Sequence, residues 1–78
     1  MNELLQRITV DPATMTGLPC LRGLRIPVTT VLGLLAAGAT PAEVLREYPD
    51  LEADDVQACL AYAAWRLQER PYALQPAG

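Results

Sequence analysis

The chain contains no histidine, no serine, no lysine and no phenylalanine. Without histidine and serine, the common nucleophile–base arrangements of hydrolytic catalysis cannot be assembled. A glycine-rich phosphate-binding loop is also missing. The two cysteines, Cys20 and Cys59, lie far apart and without Cys-x-x-Cys spacing, so with no histidine no zinc site is readable. They leave room for one disulfide. However, Met1–Leu5 is too short and too acidic to be an apolar export segment, so the expected compartment is a reducing cytoplasm. No apolar run approaches the ~20 residues of a membrane span, which predicts a protein with no membrane partner. Cofactor, metal and catalytic residues are all expected to be absent, and the protein is read as a non-enzyme.

What is present is small and apolar. The 78 residues are 51% hydrophobic and suit one domain. A chain of this size buries only about 60–65% of its unfolded surface, so self-association or a partner is the expected source of extra stability. The formal net charge is −3 and is unevenly spread. Residues 1–30 carry Arg7, Arg22 and Arg25 against Glu3 and Asp11, whereas the later part carries Arg46, Arg66 and Arg70 against a majority of carboxylates. Such a chain is not a general polyanion binder; any nucleic-acid contact would fall to the arginines of the first part.

The stretch Gly17-Leu-Pro-Cys-Leu-Arg-Gly-Leu-Arg-Ile-Pro-Val28 organises the reading. Gly17 and Gly23 accept positive φ, and Pro19 and Pro27 fix φ and push Leu18 and Ile26 toward extended geometry. A first strand is predicted over about 4–10, ended by Asp11-Pro12. A second follows over about 20–26, with a bend at Gly23 and a strand stub at Leu24–Ile26. Pro27 is placed in the first turn of a helix. Three helices are predicted, over about 27–37, 41–48 and 53–68. Gly38 suits a C-terminal cap, and Thr40-Pro41-Ala42-Glu43 spells a capping box. Glu52, Asp54 and Asp55 crowd the first turn of the third helix, at the positive end of its dipole. The fold class is therefore mainly α, a helix-turn-helix-like core of three helices with a short N-terminal β ribbon. One domain is expected over 1–70 and a tail over 71–78.

The third helix shows two apolar stripes. Val56, Leu60, Ala63 and Leu67 suit the domain core. Ala58, Ala61, Tyr62 and Trp65 suit a second chain, giving a homodimer or partner interface; the alternative is that the N-terminal ribbon of the same subunit covers them. Cys59 reads as a small buried apolar residue, and Cys20 as an exposed, oxidisable thiol. Arg22 and Arg25 have two readings. Either they pair with Asp11 or a helix carboxylate and pin the ribbon, or they reach an acidic partner.

The ordered motifs Ile8 to Pro12, Gly17-Leu18-Pro19, Arg22-Gly23-Leu24-Arg25-Ile26-Pro27-Val28, Gly38, Thr40 to Glu43, Tyr48-Pro49-Asp50-Leu51 and Cys59-Leu60-Ala61-Tyr62-Ala63 resemble the bacterial family catalogued as "domain of unknown function 433". The resemblance covers about residues 4–66. Two positions depart from it: Leu24 stands where the family has threonine, and Glu52 where a Ser or Thr cap is common. The resemblance implies a homeodomain-like three-helix fold and an antitoxin-like role, binding and silencing a small PIN-like nuclease, with some members repressing their own operon. Arg7, Arg22, Arg25, Arg66 and Arg70 are the candidate partner or DNA contacts. A guanidinium can occupy a carboxylate cluster in place of metal, which is how an arginine would silence such a nuclease. Two other readings stand beside it. One is an autonomous DNA-binding regulator using the arginines of the ribbon on operator DNA, since Glu52, Asp54 and Asp55 would repel phosphates at the start of the third helix. The other is a structural homodimer with no nuclease partner.

Overall fold

The computed structural model describes residues 3–13 and 17–69; the predicted tail and Arg70 lie outside them. The fold is mainly helical: three helices and a short two-stranded ribbon near the N-terminus. A 3-10 segment, Glu3–Arg7, leads into β1, Ile8–Thr9, which pairs antiparallel with β2, Cys20–Leu21, in the register Ile8 opposite Leu21 and Thr9 opposite Cys20. Helices α1 (Val28–Ala36), α2 (Pro41–Glu47) and α3 (Ala53–Glu69) follow. Among the described residues, no helix is long and apolar enough to cross a membrane.

The helices fall within a residue of their predicted bounds because their ends carry explicit caps. At α1, Gly38 takes φ +104°; its N–H donates to the Leu35 carbonyl, and that of Ala39 to the Leu34 carbonyl, each at 3.0 Å. This is the paired closure of a Schellman motif. At α2, Glu43 N–H donates to Thr40 Oγ1 at 3.1 Å and Thr40 N–H to Glu43 Oε1 at 2.8 Å, completing the capping box. The bond from Thr40 N–H, helped by the Thr40 side chain, favours the charged form and holds the Glu43 carboxyl below its ordinary pKa. Pro27 lies one residue before its predicted place, as the N-cap of α1, because it is bridged to Cys20 while Val28 N–H donates to the Pro19 carbonyl.

The ribbon is shorter than predicted at both strands. Residues 4–7 are not extended. A 3-10 turn has three residues, so it sets Leu4 and Arg7 on one side, whereas a strand would send them to opposite faces. Leu4 thereby packs on the core and Arg7 reaches α3. The predicted stub at Leu24–Ile26 is instead part of a loop. Leu24 N–H donates to the Leu21 carbonyl at 2.8 Å across Arg22 (φ 48°) and Gly23 (φ 71°), the two positive φ values that a type I′ turn requires. Arg25 then takes φ 60°, and Ile26 returns to accept from Leu21 N–H.

The core is built mostly of aliphatic side chains drawn from every layer: Leu21 from the ribbon, Val28 and Val31 from α1, Val44 from α2, Leu51 from the turn before α3, and Val56, Ala58 and Cys59 from α3. This corrects two expectations for α3. Ala58 is fully buried in its own core and is not an interface residue, while Leu60 and Leu67 are 44% and 52% exposed. The cause is the rotation of α3. Asp55 is fully buried, so residues 58, 59 and 62, spaced to share its side, turn inward, and Leu60 lies about 140° away around the helix. Cys20 is also buried rather than exposed, and both cysteines are free thiols. Burial pushes the Cys59 thiol up to about 11, and the nearby Asp55 charge adds to the effect.

Three measurements check this description. Thr40→Ala, which removes one half of the capping box, should cost about 1 kcal/mol in urea unfolding. Gly38→Ala meets no atom within 4 Å, so its loss of about 1 kcal/mol should come from the positive φ alone. Neither native thiol should react with an aromatic disulfide reagent until denaturant is added; fast modification of Cys20 in the native protein would contradict its burial.

Candidate functional site

The polar centre of the molecule is made by residues that are distant in sequence. Arg7 closes the 3-10 segment, Arg22 opens the type I′ turn, and Asp55 is the third residue of α3. Their backbones are already joined, because Arg22 N–H donates to the Arg7 carbonyl at 2.8 Å. The positive φ of Arg22 swings its guanidinium onto α3. There Nε donates to Asp55 Oδ1 at 3.0 Å and Oδ2 at 3.2 Å, while Nη2 donates to Oδ2 at 2.7 Å and to the Asp50 carbonyl at 2.8 Å. Arg7 Nη1 donates to Asp55 Oδ1 at 3.0 Å and to Glu52 Oε1 at 2.9 Å, and its other nitrogen lies 3.6 Å from Asp54 Oδ2.

Asp55 also caps α3. Its Oδ2 accepts from Glu52 N–H at 2.8 Å, the half of a capping box in which the third helical residue reaches back. Glu52 itself is therefore not a side-chain cap. The work expected of a Ser or Thr at that position is shared between Asp55 and the carboxylate that Glu52 turns toward Arg7. Burial alone would raise the Asp55 pKa, but the bonds from Arg22, Glu52 N–H and Arg7 outweigh it and hold the carboxyl at about 2. Both guanidinium pKa values are raised in turn, that of Arg7 chiefly by its bond to Glu52 and that of Arg22 chiefly by its bond to Asp55. Glu3, Arg7, Arg22, Glu52 and Asp54 border an open basin, in which Arg7 is ion-paired to both Glu52 and Asp54 while Arg22 is paired to the buried Asp55.

Of the two readings of the ribbon arginines, the structure realises pinning for Arg22, through Asp55 rather than Asp11. Arg7 shares that role. Arg25 makes no ion pair with a described residue and lies in a small cleft with Thr9, Asp11 and Leu18. Arg66 also forms no ion pair with a described residue. It borders a shallow groove with Leu5, Ile8, Val10, Tyr62 and Trp65. The Tyr62 and Trp65 rings lie 5.9 Å apart and are tilted by 47°. Tyr62, Trp65 and Arg66 thus come together, while Ala58 is withdrawn into the core and Ala61 is half-buried one turn before Trp65. Sequence reasoning missed Val10, which is 60% exposed and forms the far wall of this groove. The β-branched run Ile8-Thr9-Val10 reads as strand, but the strand stops at Thr9 and leaves Val10 free to line the groove.

The low pKa of Asp55 makes stability pH-dependent. Its folded value, about 2, lies below the ordinary 3.8, so the native state resists protonation. About 2 kcal/mol of stability is then present above pH ~4 and is lost as the pH falls through ~2. Asp55→Asn should flatten this part of an acid-unfolding profile. It should also cost about 3 kcal/mol near neutral pH in urea unfolding, because two guanidinium groups lose their shared acceptor. An unchanged profile would show that the clamp does not form.

A model of the family described as "Protein of unknown function (DUF433)" matches residues 8–63, a span that holds Arg22 and Asp55 and leaves out Arg7, Trp65 and Arg66. The uncharacterized protein y4eO of Sinorhizobium fredii is 34% identical over 56 residues, which are 72% of this chain and 25% of that protein. The crystal structure of a DUF433 member from Anabaena variabilis is similar with a TM-score of 0.74 and 32% identity, covering 81% of this chain and 62% of the other. The chain thus spans a quarter of the one relative and under two thirds of the other. With most of its length matched and its fold shared, the chain belongs to the DUF433 family.

Proposed function

We propose that the protein is an antitoxin-like binding module that silences a PIN-like nuclease, without catalysis of its own. The observation that carries this reading is the groove between the N-terminal segment and α3. Its walls are Leu5, Ile8, Val10, Tyr62 and Trp65, and an arginine without an ion pair to any described residue, Arg66, stands at its rim. Aromatic and arginine side chains side by side are the usual anchors of protein–protein contacts. An apolar side chain of the partner enters the groove, and Arg66 faces the carboxylates that hold metal in the nuclease. Arg7 and Arg22, the other candidates for that role, are already engaged by Asp55 and Glu52. The same engagement weighs against the reading as an autonomous DNA-binding regulator. A duplex would have to compete with internal carboxylates for both guanidinium groups, and it would meet Glu52 and Asp54 at the start of α3.

The test is affinity capture of the full chain from lysate of its native host, before and after nuclease digestion, followed by titration of the captured partner. A small nuclease should be recovered in stoichiometric amount and survive digestion. Trp65→Ala and Arg66→Glu should each weaken its binding by at least about thirtyfold, the loss typical of a central anchor residue. Recovery of DNA without a nuclease would favour the regulator, and bait alone would favour a structural homodimer.

A further inference from the structure

The apolar groove between the N-terminal segment and α3 is open on its outer side. None of its apolar walls is buried: Val10 is 60% exposed, and Leu5, Ile8, Tyr62 and Trp65 are half-buried. It encloses about 330 Å³, a volume that a few side chains fill. The chain carries such side chains within reach. Helix α3 ends at Glu69, four residues after Trp65, so the backbone leaves the helix above the side of α3 that borders the groove. The sequence continues as Arg70-Pro71-Tyr72-Ala73-Leu74, outside the described residues. Pro71 opposes a further helical turn and biases Arg70 toward extended geometry. Trp65 lies only about 6 Å back along the helix axis from Glu69, whereas the stretch 70–74 spans roughly 17 Å when extended.

We propose that residues 70–74 turn back along α3 and close the groove of their own chain, with Tyr72 and Leu74 packed between α3 and the N-terminal segment. Three features select this occupant. Tyr72 and Leu74 are two residues apart, so an extended segment points both to one side. A third ring also suits the site: Tyr62 and Trp65 lie 5.9 Å apart as a tilted pair, and the Arg66 guanidinium at the rim adds a cation–π partner. The tether then keeps the segment at a high effective concentration beside the groove, and Pro71 lowers the entropy lost when it is ordered. The groove becomes a gated surface, since a partner that uses it has to displace these residues. Closure itself does not depend on the nuclease reading; only the identity of the displacing partner does.

The experiment reads Trp65, the single tryptophan of the chain, in the purified full chain without any partner. The double variant Tyr72→Asp/Leu74→Asp should show red-shifted emission and faster quenching by acrylamide, with an unchanged circular-dichroism spectrum. Tyr72→Ser alone should move the emission the same way by less. In the unsubstituted chain, proton NMR should show nuclear Overhauser contacts between the Tyr72 and Trp65 rings. Emission should also stay constant on about a hundredfold dilution, because closure within one chain is independent of concentration. Emission of the double variant identical to that of the unsubstituted chain would overturn the inference, and so would the lack of any Tyr72–Trp65 contact. A red shift on dilution would overturn it as well, since the covering segment would then come from a second copy. No nuclease enters this measurement, so its result is separate from that of the capture experiment.

Discussion

The carboxylate of Asp55 is where the chain is tied together. It is fully buried, and it receives hydrogen bonds from Arg22, from Arg7 and from the backbone N–H of Glu52, the residue just before its own helix. Burying a charge is expensive unless its lone pairs are satisfied, and here no buried side-chain polar atom among the described residues lacks a partner. The three side chains form a unit: with one removed, another is left as a poorly compensated charge. Three other features follow from this unit. Arg22 accepts a left-handed backbone, since that conformation turns its side chain onto α3. Residues 4–7 coil as a 3-10 turn, which brings Arg7 to the same point. The rotation of α3 about its axis is set by the need to keep Asp55 inside.

That rotation divides α3 among three surroundings. One side faces the core through Val56, Ala58 and Cys59. Another carries Tyr62 and Trp65 to the N-terminal segment, where Val10 and Arg66 complete a groove. The remaining side, with Leu60 and Leu67, faces outward. A helix apolar on several sides needs more covering than two short helices and a two-residue ribbon can provide. This shortage is the physical reason to look for function in surfaces. Arginines also appear in two roles within one small domain: Arg7 and Arg22 are tied inward, whereas Arg25 and Arg66 have no ion pair among the described residues.

Local chemistry made much of the fold legible. The capping box at Thr40, the closure at Gly38 and the prolines at 41 and 49 bound their helices to within a residue, because each acts on backbone groups a few positions away. The errors share one cause. Leu4–Arg7 has the composition of a strand but coils to meet a carboxylate far along the chain. The apolar stripe Val56, Leu60, Ala63 and Leu67 has correct helical spacing, yet spacing says nothing about which way a helix is turned. Cys20 looked exposed in a loop-rich stretch and is covered by the ribbon folding back at Pro27. Residue type alone could not separate the arginines that meet an internal partner from those that do not.

The sequence by itself determined where helices begin and end, that the chain is mainly α with a short ribbon, and that chemistry resting on histidine or serine is excluded, since these depend on composition and on interactions between near neighbours. Only the tertiary structure decided which face of α3 is buried, which arginines are occupied and where an apolar groove opens. Those outcomes depend on one carboxylate meeting two guanidinium groups across more than thirty residues of sequence, and such a pairing leaves no periodic signal in the chain.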